Sequence, residues 1–482
     1  MVMSKRSALY KIRRFMLSGR YFALLAVLGA IVFTSASVIL GIPPSEVYDA
    51  PRVTVTQIAG VVVFVLTIAA TLIVHDDILA ALAPFLILCV FACDCYNSYS
   101  VFSRLWWLAI PAAGALIFHF IRYRMPIKVG ATLPGIVAAG VAVLLGGVGT
   151  ISPDEYFAPV ALYYTLSLSF GMVAVYLLLR PQAERTSDHD RTDKFAEIMY
   201  MMGIFVCAEI VWNILIRIGP IIETGQIPEI QQHNNFATFL LFALPYPFYF
   251  ARRDRRHLFA GAAFLICLFI SDSRGGIIAA ATVLPFLILY IPLARGKRCC
   301  RGTAAILIAF AAVGDAGIAI LICRCIASGE GIISESEPRY RLMIRALEAF
   351  KKNPVFGAGL GSRGNTDIYS PKTGALYWYH SLPLQLAGSM GMVGIAAYAY
   401  QAITRVRLVI KHPTPATAAM GLSYLGVFVM SCFNPGEFVP VPYELLVVAT
   451  FTAIEHEAEK SLRNRHTESK KTYKQHAPFT NQ

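Results

Sequence analysis

Arginine and histidine in three short stretches are the residues of this sequence best placed to do chemistry. Arg274 stands in SDSRGG, Arg339, Arg341 and Arg345 stand in RYRLMIRALEAFKK, and His380 stands in YWYHSLPLQL. A guanidinium stays charged at any physiological pH and presents a planar fork that matches phosphate oxygens with paired, charge-assisted hydrogen bonds. Imidazole, with an ordinary pKa of about 6.5, offers a neutral base near neutral pH, and burial lowers that value further. The alternative for a lone histidine at a helix end is a hydrogen-bonded structural role. Gly275 and Gly276 follow Arg274 at the start of an apolar stretch, so free N–H groups there would add to anion binding. An arginine between two apolar helices is costly and generally faces a cavity or a substrate path, the alternative being a guanidinium that snorkels to lipid headgroups. A helix turns about 100° per residue, so Arg341 and Arg345 share a face and Arg339 points about 200° away. For that pair a solvated face or a headgroup contact competes with a substrate role. Asn234 and Asn235, beside His233, stand at another helix mouth, where they either line the same cavity or cap the helix.

The elements that must position these groups are membrane helices. Hydrophobic residues make up 56% of the chain, mean hydropathy is +0.59, and the apolar residues fall in blocks of about 20, the length that crosses a bilayer core. Such blocks lie near 21–42, 53–74, 78–93, 105–121, 129–149, 157–179, 196–217, 235–251, 257–271, 275–294, 303–323, 380–401, 414–433 and 438–454. The expectation is an all-α polytopic membrane protein with about fourteen transmembrane helices. Each span has to be helical because lipid offers its backbone no partner, and none alternates with the period of two that barrel strands require.

Lysine and arginine set the orientation. Residues 1–20 form a basic N-terminus, and basic loops recur after every second apolar block: Arg122/Arg124/Lys128, Arg180/Arg185/Arg191/Lys194, ARRDRRH, ARGKRCCR, TRVRLVIK and the tail. The positive-inside pattern puts both termini in the cytoplasm. The net charge of +13 then reflects topology and contact with anionic lipid rather than nucleic acid. The organisation that follows is helices 1–11 over 21–324, an outer-face loop over 325–379, helices 12–14 over 380–454, and a polar tail over 455–482 whose composition reads as disordered. No cytoplasmic segment is long enough to hold an enzyme domain, and mid-span charges are few, chiefly Glu209 and Asp315.

The loop is the only long non-spanning segment, and loops of that length are commonly functional. It carries order of its own. Pro338 suits a helix start, Leu342, Ile344, Leu347 and Phe350 recur among charges, and Asn353-Pro354 ends the helix. Gly357, Gly359 and Gly361 then give a flexible turn, and Tyr377, Trp378 and Tyr379 form an aromatic belt at the next membrane entry.

The succession Arg339, Ala346-Leu347, Pro354, Gly357-x-Gly359-x-Gly361, then His380 and Gly391-x-x-Gly394, with SDSRGG upstream, resembles the O-antigen ligase and polymerase superfamily of GT-C type membrane glycosyltransferases. The likeness covers roughly residues 200–400, with departures at Met343, Ser381 and Ser389, where the family commonly has Trp, Asn and an acidic residue. The resemblance implies transfer of a glycan from undecaprenyl diphosphate to an acceptor sugar hydroxyl on the periplasmic face of the bacterial inner membrane. It selects Arg339 to join Arg274 on the diphosphate, leaves Arg341 and Arg345 as possible glycan or acceptor contacts, and makes His380 the candidate base. As an O-antigen ligase of lipopolysaccharide biosynthesis the enzyme would use the lipid A core as acceptor. As a polymerase it would use a second lipid-linked glycan, and transfer to protein is a third possibility.

No Cys/His spacing suggests zinc, and His75-Asp76-Asp77 falls on the cytoplasmic side, so the expectation is a metal-independent reaction without cofactors. A lipid-linked glycan flippase or transporter is the competing class. It would carry charges in several helices along its route, whereas here the polar residues gather on one face.

Overall fold

The computed structural model describes residues 8–39, 55–94, 105–123, 127–182, 191–215, 222, 233–295, 338–361, 378–434 and 436–476, and among these every regular element is helical. In chain order the helices are α1 (Ala8–Met16), α2 (Gly19–Ile39), α3 (Val55–Val74), α4 (Leu82–Asp94), α5 (Ala109–Tyr123), α6 (Leu133–Leu145), α7 (Pro159–Leu166), α8 (Met172–Gln182) and α9 (Arg191–Leu215). They continue as α10 (His233–Ala243), α11 (Pro245–Phe250), α12 (His257–Ile270), α13 (Arg274–Arg295), α14 (Pro338–Lys352), α15 (Leu382–Lys411), α16 (Pro415–Phe433) and α17 (Leu445–His476).

A helix underlies each predicted apolar block except 303–323, which lies outside the described residues together with Asp315 and most of the 325–379 loop. About fourteen spans are not matched among the described residues. Among the described residues, 4 helices are long and apolar enough to cross a membrane, or up to 5 if the α1–α2 pair, bent by 67°, is one span. Proline at 245 and 247 splits the 235–251 block into α10 and α11, whereas α7 and α8 are joined by a π turn over Ser167–Gly171 and count as one span. Shorter apolar helices, such as Leu133–Leu145 and His257–Ile270, fill the places between the long ones. A second difference lies at the C-terminus, where residues 455–476, expected to be disordered, continue α17. Glu455 and Glu459 near its middle bind Arg180, which anchors that polar helix to the bundle.

The main core is built on α2, α3, α4, α9, α10, α16 and α17, with Phe64, Met199, Phe236, Phe239, Leu240, Val427, Met430 and Leu446 all fully buried. Large apolar residues also face outward, among them Leu24, Ile31, Ile117, Ile121 and Ile266. That outer coat fits a lipid environment.

α15 is two helices joined at Gly391, whose φ of 61° and ψ of −152° only glycine adopts readily. The break leaves carbonyls without partners on one side and N–H groups without partners on the other. The segment after α14 supplies both. Ala358 and Gly359 donate to the carbonyls of Gly388 and Ser389 at 2.7 and 2.9 Å, while Met392 and Val393 donate to those of Pro354 and Val355 at 2.8 and 3.2 Å. The glycine run expected to be a flexible turn is therefore a fixed insert in a broken helix. At Gly357, with φ of 66°, an added Cβ would lie 2.5 Å from the Met390 nitrogen, so the backbones meet only because no side chain intervenes. The same segment is tied to the turn after α6 by Gly147 N–H to Phe356 O at 2.8 Å and by the Asn353 amide to Val148 O at 3.0 Å.

Candidate active site

The first turns of α10, α13 and α15 and the last turn of α16 meet at one end of the bundle. Ser273 donates to Asn234 Oδ1 at 2.8 Å, joining the α13 and α10 starts. Gly275 is packed against Met430 and Phe433 of α16, where a Cβ would come within 3.0 Å of either side chain. The residue after Phe433 is Asn434, whose Oδ1 lies 3.4 Å from His380 Nδ1. Arg274, His380, Asn234 and Asn434 are thus gathered by short links, although they come from four separate stretches of chain.

His380 sits in the turn before α15, half buried, with a φ of 51°. A non-glycine residue in that left-handed region costs on the order of 1 kcal/mol and persists where its surroundings enforce it. Here the enforcement is visible. Buried Gln385 accepts from the Tyr379 N–H at 3.0 Å and donates to Ser389 Oγ at 2.9 Å. Tyr379 is itself buried against Leu342 and Ala346 of α14. Trp378 stands edge-on to the imidazole with ring centroids 6.4 Å apart. Asp272, two residues before α13, is likewise left-handed at φ of 55°, so both turns that carry the key side chains are held in strained backbone.

Burial is the main cause that pushes the His380 imidazole below its ordinary value, and the positive charge of Arg339 pushes the same way against the Asn434 hydrogen bond. The neutral ring is favoured. A proton on Nδ1 facing Asn434 Oδ1 leaves the Nε2 lone pair as the basic site.

Tyr379, the neighbour of His380, packs against Leu342 and Ala346 of α14, which brings that helix close to the imidazole, and the charge of Arg339 acts on the ring. Arg274 and Arg339 are both exposed, and among the described residues neither makes an ion pair. Arg341 is exposed and Arg345 half buried on the same helix, whose Leu342 and Ala346 face inward. Asn234 and Asn235 occupy the first turn of α10. Rather than only capping their own helix, they hold neighbours, since Tyr443 donates to Asn235 Oδ1 at 2.6 Å. No group of three or more His, Cys, Asp or Glu among the described residues is arranged to hold a metal ion.

Several contributors were not foreseen. Asn434 and Tyr443 reach the site from a Pro-rich stretch read as the entry to the last span, and their partners lie 54 and 208 residues away. Arg405, counted with the cytoplasmic loop TRVRLVIK, is instead buried inside the bundle with Glu437 and Glu444. The expectation that mid-span charge is chiefly Glu209 and Asp315 is corrected accordingly. The available signal was two glutamates within an otherwise apolar NPGEFVPVPYE.

Comparison with known proteins adds one match. Residues 259–399, which contain Arg274, Arg339, His380 and the Gly391 break, match the family model described as O-antigen ligase. No curated protein matches the chain. That family is a class of glycosyltransferase-like membrane enzymes of lipopolysaccharide biosynthesis that work on lipid-linked glycans, and residues 259–399 of this chain are similar to its model.

Proposed function

We propose that the protein is a GT-C type glycosyltransferase of the bacterial inner membrane that moves a glycan from undecaprenyl diphosphate to an acceptor sugar hydroxyl at its periplasmic face, as an O-antigen ligase acting on the lipid A core. The observation that carries this reading is the gathering of a half-buried histidine with two arginines that have no ion-pair partner among the described residues. Arg274 and Arg339 hold the diphosphate by paired hydrogen bonds. His380 Nε2 takes the proton from the acceptor hydroxyl as its oxygen attacks the anomeric carbon. The bond from that carbon to the diphosphate oxygen breaks, and the departing undecaprenyl diphosphate carries away the electron pair, with its charge stabilised by the two guanidinium groups. Arg341 and Arg345 extend the cationic helix face toward the glycan or the acceptor. Asn234 and Asn235 brace the α13 start and the 434–444 segment rather than touching the reacting atoms. Fixed cations supply the phosphate charge, so the reaction needs no metal and no cofactor.

The acceptor separates ligase from polymerase, because both use the same donor chemistry. A deletion strain that accumulates finished undecaprenyl-linked chains supports the ligase, and one that accumulates single lipid-linked repeats converts the assignment to a polymerase. Addition of a chelator to the purified enzyme should leave transfer unchanged, and inhibition reversed by a divalent cation would show that a metal takes part. Reporter fusions at Arg253, Lys297 and Lys411 should read as cytoplasmic and those at Glu229 and Thr366 as periplasmic. A cytoplasmic signal at Thr366 would put the loop on the wrong side for the proposed reaction.

A further inference from the structure

The stretch between α16 and α17 is irregular and touches the site at both ends. It runs through a 3-10 turn over Gly436–Phe438, an extended Val439 and a wide turn over Pro440–Glu444. Asn434 before it meets His380 at 3.4 Å, and Tyr443 near its end meets Asn235 at 2.6 Å. One side chain from the second half of α15 grips it between those contacts. Arg405 donates from Nη1 to Glu437 Oε1, and from Nη2 to Glu444 Oε1 at 2.6 Å. All three side chains are buried, Arg405 at 1% exposure. Tyr424 donates to Glu437 Oε1 at 3.3 Å, Gln401 donates to Glu444 Oε1 at 3.3 Å, and Ser431 Oγ accepts from the Glu437 N–H at 2.9 Å. The guanidinium carbon lies 5.4 and 5.3 Å from the Tyr424 and Phe451 ring centroids.

Three buried ionisable groups are an expensive way to hold a segment in an apolar bundle, where well-packed hydrophobic residues do as well or better. Nor is the network saturated, for among the described residues Arg405 Nε, Glu437 Oε2 and Glu444 Oε2 are buried without a hydrogen-bond partner. What the fork does provide is geometry. Its two nitrogens lie a fixed distance apart, and they bind the two carboxylates that bracket the irregular stretch. We propose that Arg405 is a positioning residue: by fixing Glu437 relative to Glu444 it sets Asn434 against His380 and Tyr443 against Asn235. The inference rests on His380 acting as the base. It draws on residues outside 259–399, the part matched by the family model.

A double-mutant cycle on the purified full-length protein tests it, with Arg405→Lys keeping the charge but losing the fork and Asn434→Ala removing the contact to His380. If Arg405 acts through Asn434, each single variant should lower kcat by roughly 5- to 100-fold with donor KM nearly unchanged, and the double variant should be no worse than the weaker single. Losses that multiply in the double variant, or a fall in donor affinity instead of kcat, overturn the proposal. If Arg405→Lys does not accumulate in the membrane, Glu444→Gln takes its place in the same cycle with the same two outcomes. Failure of both to accumulate makes the triad a folding element and also overturns the positioning role. His380→Ala is measured alongside. Normal transfer by that variant removes the base assignment itself, whereas an inactive His380→Ala with multiplying losses in the cycle removes only the role of Arg405.

Discussion

Arg180 pairs with Glu455 at 2.8 Å and donates to Glu459, and Arg191 meets Asp77 at 3.2 Å, all at the end of the bundle away from His380. Asp193 there binds both Arg253, at 2.5 Å, and the Tyr249 hydroxyl. At the His380 end, Arg274 and Arg339 are exposed and make no ion pair among the described residues. The first end has its arginines neutralised by carboxylates of its own chain, so their work is to hold helices together. The second keeps charge available at helix starts beside a neutral imidazole, which is what an arriving diphosphate requires. The same residue type thus serves cohesion at one end and, on the proposed function, recognition at the other.

The largest effect that would sharpen this contrast is on chemistry. His380→Ala should cost on the order of 10² to 10⁴ in transfer rate, while the variant still binds lipid-linked donor in a direct binding assay. Lost donor binding would return His380 to a structural role. At the cohesive end the prediction is reversed. Arg180→Gln strands Glu455 in the bundle, which should cost about 3–5 kcal/mol of stability and lower the Tm of the detergent-solubilised protein. Its folded fraction should still transfer at the wild-type rate. A specific loss of turnover there would break the division of labour.

Smaller losses are expected from changing the fork alone. Arg274→Lys or Arg339→Lys keeps the charge and gives up paired hydrogen bonds worth about 1.5–3 kcal/mol, a roughly 10- to 150-fold fall in transfer at unchanged membrane abundance. Arg253→Lys, whose ion pair is largely exposed, should stay within about twofold. Equal losses at Arg253 and Arg274 would dissolve the comparison.

The smallest effect is a shift of pH dependence. Burial first, and then the charge of Arg339, hold the His380 imidazole below its ordinary value. The base is active only when neutral, so transfer should fall on the acid side through the lowered pKa, at a pH below that expected of an ordinary imidazole. Arg339→Gln removes the like charge and should move this acidic limb to higher pH, whereas Arg339→Lys should leave it in place. An acidic limb that does not move in Arg339→Gln would separate Arg339 from His380.

The helices were legible because each apolar block must satisfy its own backbone, and local composition decides that. The arginines and the histidine could be singled out because ionisable residues at the edges of apolar spans generally face a cavity or a partner. What joins them was not. The partner of His380 is 54 residues away, and nothing local to Asn434 marks it. Arg405 was misplaced because α15 is 30 residues long and runs past its apolar stretch, so a basic residue near its end counts as loop when only flanks are compared. The glycines after α14 stood out as a pattern, yet their task depends on a break in another helix and could not be read from their own neighbourhood.

That break also bears on how the protein is made. Residues 354–359 leave the ribosome before α15, and the carbonyls and amides of α15 around Gly391 have no partners until that earlier segment lies alongside. A helix delivered to lipid with several open backbone groups would insert poorly. The two halves of α15 therefore depend on residues 354–359 for their backbone partners, so that this long helix becomes self-sufficient in an apolar surrounding only together with a segment that precedes it in the chain.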